Sequence, residues 1–324
     1  MCLERGYDQT NRLGQPFPGR VIAAVDIHPT GHDVLGDIVI LVSVLGGAFL
    51  KEVADLEVKV IHYPFMGTGI NTERLLLMTR LCYAPLGSED IMRMVHGKDG
   101  PSDKEAGKFV RGLVKSGHLG ALEHWVTSFA VEGYSRISSQ QNDRHRLMKM
   151  FKEPGVYMTE PEQSSPDVSQ LQQSQRYVKE KEFRYVVPPS FRRHPEFLQR
   201  FHALQAEIRK LQVEGLREGI GAEDVRFALS NATETRFIIT TNARQLRHMF
   251  NLRCCTRSQW EIRALFQRLL AIYRQIAPNI FFGAGASCDE RGYCPESQWS
   301  CGRAPTLKEL QSAYKQRGSD DESI

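Results

Sequence analysis

The sequence has no long apolar run. Its longest apolar run, Ile38 to Leu50, includes Ser43, Gly46 and Gly47 and is shorter than the about 20 residues that a membrane-spanning helix needs. The first twenty residues are polar and lack the apolar centre of a secretory signal. We therefore expect a cytoplasmic protein that has no membrane partner.

The sequence also lacks the common nucleotide-binding fingerprints. Neither a G-x-G-x-x-G nor a Walker A pattern occurs, so a Rossmann or P-loop nucleotide site is not expected. No serine, histidine and aspartate follow one another in an order that suggests a hydrolytic triad. The chemistry must therefore be sought in other clusters of residues.

Paired C-x-x-C cysteines are absent, although the chain has seven cysteines. Cys288, Cys294 and Cys301 are loosely spaced for zinc, and Cys254-Cys255 would add ligands. We favour free thiols in a reducing compartment and expect no bound metal. A structural zinc ion is the minority hypothesis.

A strong excess of charge is missing as well. The 42 Lys and Arg residues and the 38 Asp and Glu residues leave a net charge of +4, with a pI of about 8.6. This balance suits anionic small ligands and is too weak to indicate a nucleic-acid partner. The 324 residues are enough for one large domain or two smaller ones.

The basic triplet Arg144-His145-Arg146 is the strongest local sign of a binding site. Adjacent cations repel one another and are tolerated in water or against an anion, and the guanidinium group fits phosphate in a bidentate way. A related pattern follows at Ser174-Gln175-Arg176-Tyr177. The triplet comes after the alternating segment 125–131, near a strand exit, where ligand-binding loops often lie. An accidental basic cluster in a solvated turn is the alternative.

Several separated arginines are candidates to converge on phosphate groups, although each one alone is also explained as an ordinary surface residue. They are Arg144, Arg146, Arg176, Arg226, Arg244 and Arg253. We interpret Ser174, next to Arg176, as a phosphate-binding residue rather than a nucleophile.

Hydrophobic periodicity predicts a mixture of strands and helices. The predicted strands are 21–26, 38–44, 58–63, 125–132 and 236–240. The predicted helices are 72–83, 104–115, 195–217, one that Asn242 caps and that runs through Phe250, and one from Trp260 to Pro278.

The segments between these elements carry weaker signals. Gly133-Tyr134 is predicted to turn, and residues 256–259 fit a capping box. The stretch 147–168 contains three prolines, which predicts a loop. We expect the charged tail after Thr306 to fray.

Three blocks of the sequence, in this order, resemble flavin-dependent thymidylate synthases: GALEHWVTSFAVEGYSRISSQQNDRHR, SQLQQSQRYV and NARQLRHMFNLRCCTRSQWEIR. The resemblance covers roughly 58–295. It implies an α/β fold of the α+β kind, with a central antiparallel-rich sheet flanked by long helices. The corresponding division is a catalytic domain at 57–295 with an inserted loop at 147–168, an N-terminal extension at 1–56 and a tail at 296–324.

The resemblance also implies an activity. Members of this family methylate dUMP reductively to dTMP, with methylenetetrahydrofolate as the carbon donor and NADPH as the reductant of bound FAD. It implies a homotetramer whose active sites are shared between chains, with the loop at 172–176 reaching a neighbouring subunit's site.

Carried over residue by residue, the resemblance names two sets of contacts. The implied flavin contacts are Arg144, His145, Arg146, Gln172, Asn242, Arg244 and His248. The implied dUMP contacts are Gln141, Arg144, Gln172, Gln173, Ser174, Gln175, Arg176, Arg226 and Arg253. Arg253 matches the arginine thought to polarise the uracil ring, and a permanent cation there would stabilise negative charge on the ring.

Some positions depart from the family pattern. The twenty-two residues 147–168 lengthen a gap that is short in the family. Asn142 and Asp143 stand where apolar residues are usual, and Leu171 replaces an asparagine near the flavin. These departures leave two alternatives: a non-catalytic relative that binds nucleotides or nucleic acid, and a flavin enzyme that modifies another pyrimidine nucleotide.

Overall fold

A computed structural model describes residues 53–96, 100–142, 168–175 and 183–321, with side chains described to Tyr314. Several predictions lie outside these residues: the strands at 21–26 and 38–44, the basic triplet 144–146, Arg176, and the loop at 147–168 except for its last residue, Val168, which begins a strand. The described residues belong to one compact unit of the chain. No helix among them is long and apolar enough to cross a membrane.

Four antiparallel strands form the sheet. They are β1 (Glu57–His62), β2 (Val126–Ser135), β3 (Val168–Gln172) and β4 (Glu234–Asn242), in the order β1-β2-β4-β3. The predicted strands at 58–63, 125–132 and 236–240 are confirmed within a few residues. The antiparallel sheet with helices confirms the α+β class.

β2 is longer than predicted because Gly133 forms a bulge rather than a turn. The pairing of β2 with β4 shifts register between Val131 and Tyr134, and Gly133 has a φ of +68°. A Cβ atom at this position would lie 1.6 Å from the carbonyl oxygen of Asp55. The predicted turn at 133–134 is therefore wrong, and the strand continues to Ser135.

Helices make up most of the remaining described chain. They are α1 (Ser88–His96), α2 (Asp103–Lys115), α3 (Arg136–Asn142), α4 (Pro195–Arg217), α5 (Ala222–Val225), α6 (Ala243–Arg253), α7 (Trp260–Ile276), α8 (Ser287–Arg291) and α9 (Leu307–Asp321). Short 3₁₀ helices span Thr72–Cys82, Leu119–His124, Phe191–Arg193, Arg226–Ala228 and Ser297–Trp299.

The helix predictions are confirmed for α2, α4, α6 and α7. The predicted helix at 72–83 has 3₁₀ geometry, and Asn71 caps it by accepting from the Glu73 N–H. The tail that was expected to fray forms α9. The capping box at 256–259 is wrong, because the side chain of Gln259 is itself the cap of α7.

One face of the sheet carries the core. Phe129 and Val131 of β2 are fully buried and belong to one hydrophobic cluster with residues of α6 and α7. Tyr273 and Phe281 each pack edge to face against Trp125 in this cluster, with ring centroids 5.9 and 5.8 Å from the tryptophan. The site elements α3 and α6 therefore stand on a rigid base.

Candidate functional site

The short helix α3 joins two of the separated site segments. It follows β2 without an intervening loop. The side-chain amide of Gln172, at the end of β3, donates to Ser139 Oγ of α3 at 3.0 Å and to Thr235 Oγ1 of β4 at 2.8 Å. These bonds connect β3 to α3 across 33 residues of sequence.

Arg253 reaches α3 from another direction. It is the last residue of α6, and its Nη2 donates to the carbonyl oxygen of Gln141 at 3.3 Å across 112 residues of sequence. Gln141, Gln172 and Arg253 thus come from three elements and meet around one helix. All three residues were predicted from the sequence, whereas the helix that brings them together was not.

The residues after β3 form the described part of the expected phosphate loop. The backbone N–H of Gln173 donates to the carbonyl oxygen of Arg236 at 2.8 Å, which fixes the loop to β4. Ser174 also has an interaction within the structure. Gln175 is partly exposed, and Arg176 lies outside the described residues.

α6 carries the expected flavin contacts at its beginning. Asn242 ends β4 and caps α6 by accepting from the Gln245 N–H at 2.9 Å. Arg244 and His248 are exposed and four residues apart, so they lie on the same face of the helix. Arg244 is paired with Glu123 at 2.5 Å. Glu123 stands just before β2 in the sequence, and that position alone does not predict the pair.

His248 is shielded by its surroundings even though the residue is on the exposed side of α6. Burial of the imidazole lowers the pKa of His248 below its ordinary value of 6.5, because a partly dry site disfavours the charged ring. His248 is therefore uncharged at pH 7. A neutral imidazole offers one hydrogen-bond donor and one acceptor.

Arg244 and Arg253 lie on opposite sides of α6. They are nine residues apart, and at roughly 100° per residue this separation amounts to two and a half turns. Arg244 is on the exposed stripe with His248, whereas Arg253 is partly buried and faces α3. The two guanidinium groups therefore leave α6 in opposite directions.

Other predicted or divergent positions lie elsewhere. Arg226 is exposed, and its Nε donates to the carbonyl oxygen of Glu223 in its own turn. Asn142, at the end of α3, is 2% exposed, whereas Leu171 of β3 is 71% exposed on the sheet face opposite the core. Asn142, which stands where the family usually has an apolar residue, is therefore packed inside the protein beside the site. Leu171, which replaces an asparagine, lies on an outer surface.

The cysteines near the C-terminus approach one another without forming a ligand set. Cys255, Cys288, Cys294 and Cys301 line one small cavity. In the described part of the chain no three His, Cys, Asp or Glu side chains are arranged to hold a metal ion. Burial raises the pKa of the neighbouring Cys254 to about 12, so this thiol stays protonated. The structure thus adds no support for the zinc hypothesis.

Comparison with known proteins gives consistent matches. Residues 69–279 match the family model described as thymidylate synthase complementing protein. The chain is 37% identical over 236 residues to a protein of Geobacter sulfurreducens, covering 72% of this chain and 90% of the relative. It is 34% identical over 247 residues to a protein of Clostridium tetani, covering 71% and 88%.

A third relative, from Nitratidesulfovibrio vulgaris, is 36% identical over 216 residues, covering 64% of this chain and 80% of the relative. All three relatives are named flavin-dependent thymidylate synthase. The family match spans β2, β3, β4, α3 and α6, the elements that carry the site described above.

Proposed function

Because the chain belongs to the thymidylate synthase complementing protein family, we propose that it catalyses the reductive methylation of dUMP to dTMP. It is an FAD-dependent thymidylate synthase that uses methylenetetrahydrofolate as the carbon donor and NADPH as the reductant. The observation that carries this proposal is the meeting of Gln141, Gln172 and Arg253 around α3.

The residues present fit a pyrimidine monophosphate. The Gln141 amide of α3 and the Arg253 guanidinium of α6 are hydrogen-bond donors suited to phosphate oxygens and uracil carbonyls. We propose that the segment from Gln172 to Arg176 binds the phosphate, together with Gln141 and Arg226. Ser174 contributes a hydroxyl to the phosphate and is not a nucleophile.

Arg253 is the proposed activating group. The bound flavin, once reduced, supplies hydride, so no protein nucleophile is needed. Arginine stays charged at all working pH values. Its contact with the Gln141 carbonyl holds the guanidinium next to α3, where it stabilises negative charge that develops on the uracil ring.

The proposed flavin contacts lie on α6 and directly after α3. Arg244 is held by Glu123, and neutral His248 offers a hydrogen bond without a charge. Asn242 fixes the start of this helix. Arg144, His145 and Arg146 follow the end of α3 in sequence and are proposed to complete the flavin site.

We propose a homotetramer whose active sites are shared between chains. Arg244 and Arg253 lie on opposite sides of α6, which supports a site that draws the two arginines from two subunits. Phe197, Leu204 and Leu211 form an exposed stripe of α4 at intervals of seven residues, a spacing typical of helix–helix contacts. This stripe supports association with a second copy.

The sheet offers a second surface for association. Leu171 and Ile238 are paired in register and exposed on the face opposite the core. We also propose a cytoplasmic location, because the described cysteines are free thiols and free thiols persist in reducing compartments.

The proposed activity is tested on the purified protein loaded with FAD. We expect a yellow protein that oxidises NADPH faster when dUMP is added and forms dTMP only when methylenetetrahydrofolate is also present. Omitting the folate is the matched control. A protein that stays colourless after incubation with FAD contradicts the proposal, and a product heavier than dTMP by one oxygen indicates hydroxymethylation instead.

A further inference from the structure

Glu261 is not one of the residues proposed to bind dUMP or flavin. Its side chain is hydrogen-bonded to the beginning of α3, the helix around which Gln141, Gln172 and Arg253 meet. We infer that Glu261 is a positioning residue for the dUMP site and that it acts through Ser135 and Ser138. This inference rests on the proposed function. The residue lies in the first turn of α7 and is 2% exposed.

Three donors at the beginning of α3 converge on this one carboxylate. Oε1 of Glu261 accepts from the Ser135 backbone N–H at 2.6 Å. Oε2 accepts from the Ser135 hydroxyl at 2.6 Å and from the Ser138 hydroxyl at 2.7 Å. A buried carboxylate is tolerated only when it is hydrogen-bonded, so these bonds fix α3 and α7 relative to each other.

The capping of α7 does not require Glu261. Oε1 of Gln259 already accepts from the backbone N–H groups of Glu261 and Ile262, at 3.0 and 3.1 Å. The side chain of Glu261 is therefore directed away from its own helix and towards the junction of β2 and α3. Its role is the attachment of α3.

The effect reaches the site through two further contacts of α3. Ser139 accepts from Gln172, and the carbonyl of Gln141 accepts from Arg253. A shift of α3 moves both partners, and small displacements of positioned groups cost much in binding and rate. Weakening the Glu261 contacts should therefore weaken dUMP binding in a protein that is still folded.

The chain provides a matched control in Glu73. This carboxylate is 1% exposed and also accepts three hydrogen bonds, from the backbone N–H groups of Asn279 and Ile280 and the Asn279 amide, at 2.6 to 3.2 Å. It connects the 3₁₀ helix at 72–82 to the segment after α7. Loss of Glu73 therefore removes a buried carboxylate of the same kind without touching α3.

The test compares Glu261→Ala, Glu261→Gln, Ser138→Ala and Glu73→Ala as FAD-loaded proteins. The dUMP dissociation constant is measured by calorimetry, next to the melting temperature, kcat and the KM for dUMP. We expect Glu261→Ala to raise the dUMP dissociation constant at least about tenfold, and Ser138→Ala to raise it about threefold. Glu261→Gln should stay within about threefold, because its amide oxygen accepts from the Ser135 N–H and its NH₂ donates to the two hydroxyls.

Glu73→Ala should lower the melting temperature and leave the dUMP dissociation constant unchanged. Unchanged dUMP binding in a folded Glu261→Ala protein overturns the inference, as does an equal loss in Glu73→Ala. If Glu261→Ala does not fold, Ser138→Ala decides, and wild-type affinity in that variant overturns it. A wild-type protein that binds no dUMP contradicts the proposed function itself, which separates the two failures.

Discussion

Arg253 is the residue on which the proposed chemistry depends most directly. We predict that Arg253→Ala lowers kcat at least about 100-fold, equivalent to about 2.7 kcal/mol, because the uracil ring loses its fixed cation. Oligomeric state and flavin content should not change. Steady-state kinetics, size-exclusion chromatography and the flavin absorbance spectrum measure these quantities.

A nearby arginine serves as the control for Arg253. Arg257 is paired with Glu296, and its guanidinium lies 5.4 Å from the centre of the Trp299 ring, away from α3. Arg257→Ala should keep wild-type kcat within about twofold. Activity of Arg253→Ala within about tenfold of wild type would mean that Arg253 is not the activating group.

His248 gives a prediction about pH. Its pKa in the folded protein is below the ordinary 6.5 because of burial, so below pH 6.5 the unfolded chain binds more protons than the folded one. The free energy of unfolding should therefore fall as the pH drops below 6.5, and this contribution is lost as the pH passes through the pKa of His248 in the folded protein. The effect is modest because the residue is on the exposed side of α6.

Urea unfolding at several pH values between 7 and 5 tests this prediction. His248→Gln should reduce the loss of unfolding free energy with falling pH, whereas the exposed His194→Gln should follow the wild type. An identical pH dependence in His248→Gln and wild type would show that the histidine contributes nothing to it.

At the scale of single residues, sequence analysis named the proposed contacts and missed their supports. Glu123 and Glu261 stand in the same blocks as Gln141 and Arg253, but they pair with partners 121 and 126 residues away. Such pairs depend on how distant segments pack and leave no local pattern. Residues that contact a ligand are therefore easier to predict from a sequence than the residues that position them.

At the scale of elements, the bulge in β2 at Gly133 lies three residues before α3. We predict that Gly133→Ala destabilises the protein by roughly 3 kcal/mol or more, because the new Cβ would lie 1.6 Å from the Asp55 carbonyl oxygen in a backbone with φ of +68°. Gly120→Ala, where a Cβ has no neighbour within 4 Å, is the control. Urea unfolding gives both values, and equal stabilities would contradict the packing described for β2.

The success of the helix predictions follows the strength of the periodic signal. α4 and α7 repeat apolar residues every three or four positions, and both were predicted. α3 has the sequence RISSQQN, which offers one apolar residue and no stripe. Hydrogen bonds from Ser135 and Ser138 to Glu261 attach it to α7, and a tertiary contact of this kind is not visible in the periodicity of the sequence.

The turn predicted at Gly133 is wrong, and the helix predicted at 72–83 is present with 3₁₀ geometry, a distinction that the sequence pattern did not make. A glycine inside a strand pattern marks either a turn or a bulge, and only the pairing of β2 with β4 distinguishes the two. The apolar pattern at 72–83 is shared by α and 3₁₀ helices, whose hydrogen bonds differ by a single residue.

At the scale of the whole molecule, shared active sites predict that two inactive variants rescue each other. Arg244→Ala and Arg253→Ala are each expected to be inactive. In mixed tetramers, some sites combine an intact Arg244 from one chain with an intact Arg253 from another. If the chains assemble at random, about a quarter of all sites are of this kind. Co-expression with two affinity tags and an assay of dTMP formation measure the recovery.

Mixing Arg253→Ala with Arg253→Gln is the matched control, because no combination of those chains restores the arginine. Recovery in both mixtures would point to contamination by wild type. No recovery in the first mixture, with mixed tetramers present, would mean that each subunit supplies both arginines to its own site.

The direct passage from β4 into α6 at Asn242 has a consequence for how relatives vary in length. Each residue inserted or deleted between Asn242 and Arg253 would rotate the terminal guanidinium by roughly 100° and shift it by about 1.5 Å along the helix axis, with no loop to absorb the change. Working relatives should therefore show gap-free alignments across these twelve positions, while insertions accumulate in the connections between other elements.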